Sequence, residues 1–89
     1  MRTIELGYSE ADPQPVLEQF CRTRSLNLSP RMQLATYPGC SHWHLSKPGD
    51  RGTLEVTWWP KGRRFWLKVA GNREGGWVEE ACDKLRETP

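Results

Sequence analysis

From Met32 to Val69, large apolar side chains fall on alternate positions, and three turn-like segments interrupt the alternation without disturbing it. The first is Tyr37-Pro38-Gly39-Cys40, the second runs from Lys47 to Gly52, and the third is Pro60-Lys61-Gly62-Arg63. Folding the chain back at the first turn sets Met32 opposite Leu45 and Leu34 opposite Trp43. The second turn sets Leu45 opposite Leu54 and Trp43 opposite Val56. The third sets Leu54 opposite Val69, Val56 opposite Leu67 and Trp58 opposite Phe65. A slip of one residue at any turn would send its strand's apolar set to the other face. Three separately placed turns that agree on one face predict a four-stranded antiparallel meander.

Helical spacing flanks this region. Asp12 suits an N-cap and Pro13 the first helical position, where its missing N–H has no partner to lose. Val16, Leu17, Phe20 and Cys21 then recur as on one helix face, which predicts a helix over 13–24. After Asn72 and the Gly75-Gly76 break, Trp77, Val78, Ala81, Cys82 and Leu85 form a second stripe. Glu79 and Glu80 lie early in that helix and Arg86 late, as the helix dipole favours. Two one-sided helices and a sheet with one apolar face give an α+β fold, order α-β-β-β-β-α, with both helices on that face. The alternation in Thr3-Ile4-Glu5-Leu6 predicts an extra short N-terminal edge strand, with residues 1–11 otherwise a flexible arm.

The 89 residues suit a single domain spanning 1–89. Five tryptophans supply bulk for a small core. Thirteen basic residues are interleaved with eleven acidic ones, and a net charge of +2 is too small to argue for nucleic acid by itself. The three cysteines form no C-x-x-C, which removes zinc-ribbon and thioredoxin-type motifs. No secretory h-region opens the chain and no run approaches the ~20 apolar residues of a membrane span. The expectation is a cytoplasmic protein with reduced thiols and no membrane association.

The outward face of the sheet is then Gln33, Ala35, His42, His44, Glu55, Thr57, Trp59, Arg64, Trp66 and Lys68. His44, Glu55 and Lys68 form a row across three strands, in which Glu55 between two potential cations is ordinary cross-strand charge pairing. Arg64 lies opposite Trp59 as a cation–π pair. Two outward tryptophans beside an arginine are the composition of a contact surface. The leading expectation is therefore a non-enzymatic module for protein–protein interaction or homodimer formation through Trp59, Arg64, Trp66, Lys68 and Thr57.

Two alternatives use the same strands. Single-stranded nucleic acid could stack on Trp59 and Trp66, with Lys61, Arg63, Arg64 and Lys68 beside them. A metal ion could be held by His42 and His44, with Glu55 opposite and Cys40 two residues away along the strand. No nucleophile–base–orienter set can be assembled, the glycines read as turns rather than a phosphate loop, and no cofactor is implied. Cys21 and Cys82 fall on helix stripes as small core residues, which leaves Cys40 as the thiol expected to react.

Overall fold

The alternation of residues 41–69 becomes three long strands at the centre of a sheet. In the computed structural model, which describes residues 2–69 and 76–87, the elements run β1 (Arg2–Leu6), α1 (Gln14–Arg24), β2 (Asn27–Leu28), β3 (Ser41–Ser46), β4 (Leu54–Trp59), a 3-10 turn (Pro60–Gly62), β5 (Arg64–Val69) and α2 (Gly76–Glu87). The sheet is antiparallel throughout, in the order β1-β5-β4-β3-β2. This is the α+β class expected, with the N-terminal strand present as an edge against β5. Of the Gly75-Gly76 break read above, Gly76 is the first residue of α2, while Gly75, like Asn72, lies outside the described residues.

The register of the two central hairpins is the one the alternation dictates. Leu45 pairs with Leu54 and Trp43 with Val56, while Leu54, Val56 and Trp58 pair with Val69, Leu67 and Phe65. Leu17, Phe20 and Cys21 from α1 and Trp77, Val78, Ala81, Cys82 and Leu85 from α2 join these inward side chains in one core. Each fully buried large apolar side chain contributes about 1.5–3 kcal/mol, so this face supplies most of the stability of so short a chain.

The first hairpin differs from expectation. The turn at Tyr37–Cys40 forms, with the Cys40 N–H donating to the Tyr37 carbonyl and Gly39 at φ 83°. Yet the partner of Leu45 is Leu28, and Met32 bridges to His42. Leu26 and Leu28 pack against the core in the place expected for Met32 and Leu34. The reason is the end of α1: Ser25 adopts a left-handed conformation at φ 56° and the Leu26 N–H returns to the Cys21 carbonyl, a Schellman-type close. That close turns the chain at once into β2, so the inner edge is filled before Met32 is reached. Residues 29–40 are thereby released to run along β3 and cover part of the outer face.

Candidate metal centre

Alternation along β3 sends His42 and His44 to the outer face, and the β3–β4 register sets Glu55 opposite His44 and Thr57 opposite His42. The two imidazole Nε2 atoms are 3.1 Å apart. Glu55 Oε1 lies 3.3 Å from His42 Nε2 and 3.9 Å from His44 Nε2. Those three distances put the atoms on a circle of radius about 2.0 Å, so a point near its centre lies at an ordinary zinc–nitrogen or zinc–oxygen distance from all three.

The same triangle is awkward without a cation. If both rings carry a proton on Nε2, two N–H groups meet. If His42 alone does, its one N–H must be shared between His44 Nε2 and Glu55 Oε1; if neither does, three acceptors converge. A positive ion at the centre satisfies all three contacts together.

The surroundings set the two imidazoles apart. The His42 side chain is only 5% exposed, and burial lowers its pKa below the ordinary 6.5, with Glu55 opposing the shift and His44 and Lys68 adding to it. Its Nδ1 lies 2.7 Å from the Thr57 hydroxyl, itself buried. A hydrogen bond at Nδ1 is the device by which ligating histidines are held in orientation. The His44 side chain is 46% exposed, so the cluster is walled on the His42 side and open to water on the other.

Other expected residues behave differently. Cys40 is buried, with its Sγ 3.3 Å from the Leu34 amide nitrogen, and it does not belong to the His42–His44–Glu55 cluster. The turn that contains Cys40 diverts its thiol. Glu55 pairs in register with Lys68, but among the described residues the carboxylate's ion-pair contacts are to the two histidines. The expected charge row is thus broken in favour of the His–His–Glu triangle.

Trp66, expected outside, is only 5% exposed. Tyr37 meets its ring edge-on at 5.0 Å and meets Trp59 at 5.1 Å, and the Trp59 N–H donates to the Pro38 carbonyl at 2.9 Å. Arg64 stacks 4.2 Å from the Trp66 ring rather than on Trp59, and is ion-paired with Glu5 of β1. Thr57 is engaged by His42. Of the expected contact surface, Trp59, Arg64 and Lys68 remain half-buried at the surface while Trp66 and Thr57 are inside the chain. Sequence reasoning missed Tyr37 as the cover, which carries no local signal because it acts across the fold; the strand register does set Thr57 opposite His42, but not the hydrogen bond between them.

No protein-family model, no curated protein and no solved structure matches this chain. No helix among the described residues is long and apolar enough to cross a membrane.

Proposed function

We propose that this protein binds a divalent transition-metal ion, of the zinc class, through His42 Nε2, His44 Nε2 and Glu55 Oε1. The observation that carries it is the convergence of three ligand-type atoms on one point at metal-bonding range, with the His42 ring held from behind at Nδ1 by the Thr57 hydroxyl. Imidazole nitrogen with carboxylate oxygen is a donor set suited to zinc, nickel or copper rather than to calcium or magnesium. Three protein ligands with one open side leave a coordination position for water or a small ligand. Thr57 would hold His42 in place, and His44, being more exposed, would close on the ion. The three free thiols, all buried, accord with a reducing compartment such as the cytoplasm.

The test is a titration of tag-free, chelator-treated protein with zinc, followed by calorimetry and by metal analysis after dialysis. One ion per chain is expected, with binding lost in His44→Ala while that variant keeps its circular dichroism spectrum. Failure of the wild-type protein to retain any ion, or equal retention by His44→Ala, would refute the assignment.

A further inference from the structure

On the other side of the sheet, the ends of β1, β4 and β5 meet the start of α1 and the end of α2. A cleft of about 400 Å3 opens there, within the size range of small-molecule sites. Its walls are apolar: Leu6, Trp58 and Phe65 from the sheet, Val16 and Leu17 from α1, and Leu85 from α2. Val16, at 43% exposure, is the exposed large apolar side chain among the described residues, and it lines this cleft. The connection from Gly7 to Pro13 forms one flank and is fastened in place. The Trp58 N–H donates to the Ser9 carbonyl at 3.0 Å, Arg63 pairs with Glu10, and Arg31 pairs with Asp12. These polar contacts fix the 7–13 connection along the rim of an apolar hollow that is open to solvent.

Charge selects the occupant. Among the described residues, the charged side chains lining the cleft are Glu5, Asp12 and Arg86. Glu5 is neutralised by Arg64 and Asp12 by Arg31. Arg86 has no ion pair or hydrogen bond among the described residues, so the charge left to act on a ligand is one guanidinium at the edge of an apolar slot. Such a guanidinium matches a carboxylate in a two-pronged geometry.

We infer that this cleft binds a small monocarboxylic acid with an apolar body, its hydrocarbon or ring portion against Trp58, Phe65 and Leu17 and its carboxylate on Arg86. The site is separate from the His–His–Glu cluster and does not depend on it. Trp58, whose indole N–H is already satisfied, presents ring surface to the ligand and reports its arrival.

The experiment is a titration of the full chain, in the presence of chelator, with decanoate below its micelle concentration. Tryptophan fluorescence and calorimetry are the readouts, and decyltrimethylammonium is the charge-reversed control. Saturable one-to-one binding of decanoate is expected, weakened about tenfold by Arg86→Gln and abolished by Val16→Glu at the lip. The ammonium control should not saturate. Both substitutions are at exposed positions, and their circular dichroism spectra should match the wild type. The inference is overturned if decanoate fails to saturate, if the cationic control binds equally well, or if Arg86→Gln leaves the affinity unchanged.

Discussion

His42 and Thr57 face each other across β3 and β4, and the imidazole Nδ1 lies 2.7 Å from the threonine hydroxyl. Thr57→Val keeps the side-chain volume and removes that hydrogen bond. An unsatisfied buried ring nitrogen costs about 1–3 kcal/mol, to be read from urea unfolding of the metal-free protein. If His42 is a ligand, its loosened ring should also weaken zinc binding by roughly 10–100-fold, to be read by calorimetry. A loss of stability with unchanged zinc affinity would separate the hydrogen bond from the metal.

The same histidine predicts how stability follows pH. Burial holds the folded-state pKa of His42 below its ordinary 6.5, against the pull of Glu55. Between those two values the unfolded chain carries a proton that the folded chain refuses, so stability rises with pH across the window. The metal-free protein should have its full stability above about pH 6.5 and lose part of it as the pH falls below that value. Urea midpoints at several pH values, compared with those of His42→Asn, check this; an equal slope in the variant would clear His42 of the effect.

Gly62 and Trp59 make the tightest fit in the β4–β5 connection. A β-carbon built on Gly62 would stand 2.2 Å from Trp59 Cε3, so the indole lies directly against the glycine backbone. Gly62→Ala must push the ring away, breaking its hydrogen bond to Pro38 and its contact with Tyr37. A cost of about 1–3 kcal/mol is expected, as for overpacking, together with a shift in tryptophan emission. An unaltered emission spectrum and midpoint would contradict this packing.

All three cysteines are predicted to be silent toward a thiol reagent in the native protein. Burial pushes the Cys21 thiol up to about 11 and raises Cys82 as well, despite the opposing Arg2 guanidinium. Cys40, which its place in a turn marks as reactive, is buried against the Leu34 backbone instead. Labelling with a disulfide reagent should proceed only at the rate of unfolding, then report three thiols in denaturant. Rapid labelling of one thiol under native conditions would mean that the 29–40 segment opens.

The central sheet was legible because its signal is local and repeated. Each of the two hairpins from Ser41 to Val69 combines an alternating strand with a turn of fitting residues, and a wrong register would expose Val56, Leu67 and Val69 together. The His42, His44 and Glu55 juxtaposition followed from the same register, since alternation and pairing suffice to bring three side chains to one patch. Convergence of their ligand atoms is a matter of rotamers and hydrogen bonds, and rested on Thr57 and on the burial of His42.

The strand before the first turn shows where pattern reasoning ran out. Met32 and Leu34 alternate as convincingly as Leu54 and Val56, and the Pro38-Gly39 turn forms as expected. What displaced them was competition for one edge of the core: Leu26 and Leu28 arrive first, delivered by the left-handed Ser25 at the end of α1. The released segment then lays Tyr37 on Trp59 and Trp66, burying much of what the sequence marks as a contact surface.

Periodicity and turn chemistry act between neighbours along the chain, and they made the fold class, the register of β3, β4 and β5 and most of the inward helix stripes legible, Val16 being the exception. Tertiary structure alone decided that Trp66 is covered, that Cys40 is diverted from the histidines, that Glu55 turns to them rather than to Lys68, and that a cleft stays open beside Trp58. Each of those outcomes is a choice among partners distant in sequence. Such choices depend on which surfaces remain free once the core is filled.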